Sequence, residues 1–255
     1  MSRFKKIGII GGVSWISTME YYRAICEMSH QYSCERTSTG PPPIPEMTIE
    51  SLNINHSVNL RGQPGNNDSW LRFESYFRNA LKRLEASDID FAIIASNTPH
   101  NRFNRIVEGI GIPVLNIFEE VAKVCVKKNI VNTLILGTEP TMTSHVFPSV
   151  LGKHGILGIL PETGQDQNKV ISLIDELQAA KDNKAAEQIQ SLSEKYLPVN
   201  SEESSAVCLS CTELPLAFPE YLSSPTFEVD GLSYLNTTII HAKAAFEYAI
   251  SSDVA

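Results

Sequence analysis

Short unbroken apolar runs alternate along the chain with longer stretches in which apolar residues recur every three or four positions. Lys6 to Ile10 reads as a first strand closed by Gly11-Gly12, and a helix is predicted over roughly Ser17 to Gln31. Thr37 to Glu46 is a proline-rich, extended connection, and MTIESLNI (47–54) is a second strand. In the next helix Trp70, Phe73, Phe77, Leu81 and Leu84 fall on one face, with Asp68 as its candidate cap. Phe91 to Ala95 is a third strand, followed by a helix from about Arg102. IPVLNI (112–117) reads as a further strand and Phe118 to Lys128 as a helix. Strands and amphipathic helices in this alternation predict an α/β fold, with mostly parallel sheets flanked by helices.

The second half restarts the pattern. TLILGTEPTMTSHVF (133–147) repeats the strand, glycine turn and helix of IGIIGGVSWISTMEYY (7–22), so that Gly11-Gly12 falls on Gly137-Thr138. AVCLSCTELPL (206–216) ends in small polar residues, as the strand before Ser96-Asn97-Thr98 does. This reads as an internal duplication giving two pseudosymmetric domains. The expected first domain is residues 1–116 with 226–255, and the second is 117–225. Ligands of open α/β sheets bind outside the carboxyl ends of the strands. The ends at Gly12, Ser96, Thr138 and Cys211 are therefore expected to line an interdomain cleft. Short hydroxyls and backbone amides there suit a small anion.

Composition narrows the classes. The chain has 255 residues, 42% hydrophobic and 20% charged, with a net charge of −8 and no long basic run, which argues against nucleic acid as a partner. No apolar run has the length of a membrane span, and the N-terminus reads as a strand rather than a signal peptide, so a cytoplasmic location is expected. Five cysteines, an odd number without zinc spacing, are expected to be free thiols.

Two of the strand ends carry chemistry. Cys211 offers a thiol, whose pKa of about 8.5 falls at helix N-termini. Ser96 offers a hydroxyl. Two groups on opposite faces of one carbon can remove a proton from one side and return it from the other, which is racemisation or epimerisation. Cys211 can equally be a small buried hydrophobe, as most free cysteines are. Cys208 reads as core. His100 is either a third acid/base group or a structural hydrogen-bonding group, and His241 reads as structural. Glu213 either orients Cys211 or binds backbone amides. GIIGGVSW is not a dinucleotide fingerprint, and there is no P-loop.

KKIGIIGGVSWISTMEYYRAI, SNTPH, LILGTEPTM, LPETGQDQNKVISLI and CLSCTELPL occur together and in this order from Lys5 to about Leu216. In this the chain resembles the aspartate/glutamate racemase family. The resemblance implies a racemase that uses neither pyridoxal phosphate nor a metal, often dimeric, with its site between two α/β domains. It implies Cys211 as one of the family's two catalytic cysteines. Ser96 stands where the other cysteine is usual, close to the threonine of L-specific aspartate/glutamate racemases. Ser210 replaces the glycine of the family's Gly-Cys-Thr-Glu motif, and Asn236 stands where an aspartate usually opens the closing helix. By the same resemblance Asn97, Thr98, Thr138 and Thr212 hold the substrate's α-carboxylate and amino group. Val13 and Ser14 line the site with backbone, Glu213 in the same motif counts among the substrate-binding residues, and Arg61 and Lys169 reach the distal carboxylate. Arginine and lysine in those places suit a dicarboxylic amino acid, aspartate or glutamate. The alternatives are an arylmalonate-decarboxylase-like lyase or a maleate-isomerase-like enzyme using Cys211 alone, or a homologue that binds amino acids without turnover.

Overall fold

Strands that read as continuous apolar runs do so because they are covered on both faces. The first, β1 (Ile7–Gly11), is buried along its whole length. The computed structural model describes residues 4–35, 41, 43–162, 164–180, 184–197 and 204–251. Half of the proline-rich stretch, residues 37–40 and 42, lies outside the described residues; residues 43–46 have no regular structure.

The chain divides into two compact units, residues 1–116 with 241–255 and residues 117–240. In the first, β1 is followed by α1 (Trp15–Cys34), β2 (Met47–Ser51), α2 (Ile54–Asn59), α3 (Leu71–Glu85), β3 (Phe91–Ile94) and α4 (Phe103–Ile106). The sheet order is β2-β1-β3, all parallel. The predicted face of α3 is its buried face: Trp70, Phe73, Phe77, Leu81 and Leu84 pack with Ile10, Ala92 and Ile94. Asp68 does not cap this helix. A 3-10 turn, Asn67–Trp70, precedes it, and the Asn66 side chain accepts from the Ser69 N–H there. IPVLNI forms no strand; Val114 makes a single parallel bridge to Ala92.

The second unit contains α5 (Ile117–Lys127), β4 (Ile130–Gly137), α6 (Glu139–Met142), α7 (Val146–Lys153), β5 (Leu157–Ile159), α8 (Gln165–Gln178), α9 (Ala185–Tyr196), β6 (Ser204–Ser210), β7 (Thr226–Val229) and β8 (Leu232–Asn236). Its sheet order is β5-β4-β6-β8-β7, with only the edge strand β7 antiparallel. The closing helix, α10 (Thr237–Ile250), belongs to this unit through Ile240 and to the first from His241 onward. The return to the first unit therefore falls at 241, not at the expected 226. The reason is hydrogen bonding: β8 pairs with β6, β7 pairs with β8, and their side chains Phe227 and Tyr234 join the core of the second unit.

The two sheets are wound in the same order. β2-β1-β3 followed by the Val114 bridge corresponds to β5-β4-β6-β8. Ile10 pairs with Ile94 as Leu136 pairs with Leu209. Along the chain Ser96 lies two residues past Ile94, and Cys211 two residues past Leu209. No helix of the described residues is long and apolar enough to cross a membrane.

Candidate active site

In the first unit the glycine turn after β1 is fixed from three sides. Gly12 has φ 77°, a left-handed conformation, and a Cβ there would collide with the Leu52 backbone. Its N–H donates to Thr18 Oγ1 at 2.8 Å, and that hydroxyl donates to the Ser14 carbonyl at 2.9 Å. Ser14 caps α1, accepting from the Ser17 N–H, while Val13 is buried. The Ser17 hydroxyl donates to the Ala95 carbonyl at 2.6 Å, and the Ala95 N–H donates to the Ile10 carbonyl. The β1 turn and the β3 end are thus bolted together at Ala95, the residue before Ser96.

Beyond β3 the Ser96 N–H turns back to the Ile94 carbonyl at 2.8 Å. Ser96 is half-buried, whereas Asn97 and Thr98 are buried, and a 3-10 turn spans Thr98–Arg102 with Pro99 near its start. His100 is completely buried. Its Nδ1–H donates to the Ser96 carbonyl at 2.8 Å, and its ring stacks on Phe103. His241, also completely buried, accepts from the Tyr21 hydroxyl at 2.8 Å and packs edge-on against His100. Both histidines therefore take the structural role, anchoring the strand end from beneath. Arg61, half-buried, follows α2 in the same unit.

These histidines give the fold an acid limit. Burial pushes the His100 pKa from 6.5 down to about 4 and moves His241 well down as well. The unfolded chain binds the extra proton first, so this stability is whole above about pH 6.5 and is lost as pH falls toward 4. For His100 alone the loss amounts to at most about 3 kcal/mol. The urea midpoint is expected to drop between pH 6.5 and 4.5. In His100→Asn, whose amide replaces the Nδ1–H donor, the drop is expected to be shallower; an unchanged slope would refute this account.

In the second unit β4 ends at Gly137, where a Cβ would meet the Ser210 carbonyl oxygen at 2.8 Å. This close approach sets Thr138, at the start of α6, beside the Ser210–Cys211 step. The Thr138 and Thr141 hydroxyls are 3.3 Å apart. Cys211 is 8% exposed, and its thiol donates to Glu213 Oε2 at 2.9 Å. The Thr212 hydroxyl donates to the same oxygen at 2.8 Å, and Glu213 is itself buried. Glu213 therefore orients Cys211, the first of the two roles its sequence position allowed.

The expected lowering of the Cys211 pKa is reversed. Burial and the adjacent Glu213 carboxylate hold the thiol well above its ordinary value, against smaller opposing effects of the Thr212 and Glu213 backbone amides. The chain after Cys211 enters a short 3-10 turn, Leu214–Ala217, rather than a long helix pointing its N-terminus at the sulfur. The resting group is a thiol, a proton donor with a base two residues away. Cys208 is completely buried and its pKa is raised by burial, as befits a core residue. All five cysteines are free thiols.

Lys169 is half-buried on α8 and one of the charges that hold Asp166 below the usual carboxylate range. The largest of those influences is Lys195, whose ammonium donates to Asp166 at 2.6 Å, followed by the Tyr196 hydroxyl. Asp166 thereby ties the start of α8 to the end of α9. Sequence reasoning also missed the ion pair of buried Glu74 with partly buried Arg102 beneath the 60–70 loop. Their 28-residue separation matches no periodicity that would have signalled the contact. Among the described residues no group of three or more His, Cys, Asp or Glu side chains is placed to hold a metal ion.

Comparison with known proteins gives this arrangement a context. The Asp/Glu/Hydantoin racemase family matches residues 10–245. The broad specificity amino-acid racemase RacX of Bacillus subtilis (strain 168) is 25% identical over 166 residues, covering 65% of this chain and 70% of that protein. An aspartate racemase homologue from Pyrococcus horikoshii OT3 has a similar structure, with a TM-score of 0.74 and 25% identity over 97% of this chain and 100% of that one. The aspartate racemase of Picrophilus torridus shares the fold, with a TM-score of 0.70 and 21% identity over 96% of this chain and 94% of that one. Because the family match runs from β1 into α10 and takes in both units, the chain belongs to the Asp/Glu/Hydantoin racemase family, a family of isomerases.

Proposed function

We propose that the protein is a racemase of a small acidic amino acid, aspartate or glutamate, working by two-base proton transfer at Cα without pyridoxal phosphate or a metal. The observation that carries this reading is the matching register of the two sheets, which gives Cys211 and Ser96 equivalent places beyond their strands. Cys211 acts on one face of Cα and Ser96 on the other, directly or through a water. As a resting thiol Cys211 is ready to donate to a carbanion. To remove a proton it first passes its own to Glu213, 2.9 Å away. Asn97, Thr98, Thr138 and Thr212, with the Val13–Ser14 backbone, supply the donors that stabilise the enediolate-like carboxylate as charge develops. Arg61 and Lys169 provide charge for the distal carboxylate. The partner is thus a dicarboxylic amino acid, and the working form is taken to be a cytoplasmic homodimer.

The two faces are chemically unequal, because a serine hydroxyl is a much poorer base than a thiolate. Deuterium wash-in from solvent is therefore expected to be much faster for the enantiomer whose Cα proton faces Cys211. Separate runs on L- and D-aspartate and on L- and D-glutamate, read by mass spectrometry, check this. Equal and fast wash-in from both enantiomers would remove the asymmetry. Decarboxylation of arylmalonates without exchange into amino acids would replace the reading with a lyase.

A further inference from the structure

The loop between α2 and α3 has little packing of its own. Residues 63–68 are exposed and include Pro64 and Gly65. Its course is instead set from beneath by a polar network. Trp70, buried at the loop's end, donates its indole N–H to the Gln63 carbonyl at 3.1 Å. The Ser69 hydroxyl accepts from the Gln63 N–H at 2.8 Å and donates to the Asn66 carbonyl at 2.6 Å. Under these lies Arg102, whose guanidinium sits 5.9 Å from the Trp70 ring. Its Nη1 donates to Asn67 Oδ1 at 2.9 Å and its Nε to Glu74 Oε1 at 2.7 Å.

Both ends of this network are anchored. The Glu74 carboxylate is almost wholly buried on α3, so it holds the guanidinium in place. Arg102 itself ends the 3-10 turn that begins at Thr98, four residues past the buried Asn97-Thr98 pair. A planar fork that reaches two acceptors at once fixes orientation as well as distance, which a lysine cannot do.

We infer that Arg102 is a positioning residue: with Glu74, Asn67 and Trp70 it fixes Arg61, at the head of the loop, relative to Asn97 and Thr98, and so sets the preference for substrates with a distal carboxylate. This rests on the proposed role of Arg61 as the partner of that carboxylate. The same network, were it only structural, would affect all amino acids alike.

The discriminating measurement is calorimetric affinity for L-aspartate and L-glutamate against their amides, L-asparagine and L-glutamine. Trp70→Phe keeps an aromatic side chain but removes the indole N–H together with the five-membered ring; Asn67→Ala removes one arm of the fork. Neither leaves a buried charge without its partner, so both are expected to fold. Each is expected to reduce the carboxylate-over-amide preference by about tenfold, with Arg102→Lys behaving like Asn67→Ala. In an Arg61→Met background the same changes are expected to alter nothing further. An unchanged preference, or an equal loss in both backgrounds, overturns the inference. If the wild-type chain shows no such preference, the role of Arg61 fails and the inference with it. Selective binding without exchange of the Cα proton overturns only the racemase reading, and the variants still decide the positioning.

Discussion

Replacing Cys211 by alanine is expected to abolish racemisation in both directions. In the proposed two-base mechanism every turnover passes a proton across the Cys211 face, as acceptor in one direction and donor in the other. Losing a matched acid/base group costs about 10²–10⁴-fold. The change should leave the fold intact, because it removes one sulfur at the margin of a core in which Leu209 and Leu214 remain completely buried. Polarimetry or chiral chromatography gives the rate, and circular dichroism checks folding. Slow isotope exchange without inversion is expected to persist on the Ser96 face. A folded Cys211→Ala chain that racemises at the wild-type rate would remove the thiol from the mechanism altogether.

The second large effect is a gain. Ser96→Cys puts a thiol where the hydroxyl is the weaker base, and the direction limited by that face is expected to accelerate by about 10²-fold. Ser96 is half-buried and its backbone is held by the Ile94 and His100 contacts, so the larger sulfur has room without displacing the strand end. The wash-in asymmetry should shrink in the same variant. A well-folded Ser96→Cys protein with unchanged or lower rates in both directions would mean that basicity at this position is not what limits turnover.

The legible part of the sequence is the part that periodicity can encode. Ile7–Ile10 and Phe91–Ile94 announce themselves because both faces of these strands are buried. The α3 stripe is visible because Phe73, Phe77, Leu81 and Leu84 repeat at the helical period. IPVLNI misled because its apolar residues make only one bridge, at Val114, and a run of that length does not distinguish a strand from a buried connection. β7 went unread because TFEV is a short edge strand with only Phe227 buried, and the domain boundary was misplaced with it. At the site, the residue types after Ser96 and Cys211 were readable, but their charge states were not. The Cys211 thiol is raised first by burial and then by the Glu213 side chain turned back toward it, and burial and rotamer are tertiary facts. The Glu74–Arg102 pair is legible only once α3 and the turn after β3 pack together.

The discontinuity of the first unit bears on the order in which the molecule can be completed as it leaves the ribosome. Residues 117–240 are contiguous, so the second unit has all its strands in hand before the remainder of α10 has been made. The first unit, although most of it is synthesised earlier, must wait. Its β1 entry is held by the Lys5 N–H donating to the Ala249 carbonyl, its α1 by Tyr21 on His241, and its β3 by Phe91 against Tyr248. Domains as a rule are finished in the order in which they are translated. Here the N-terminal one cannot be finished before the residues from His241 onward have been made, and these include the His241 support beneath the Ser96 strand end.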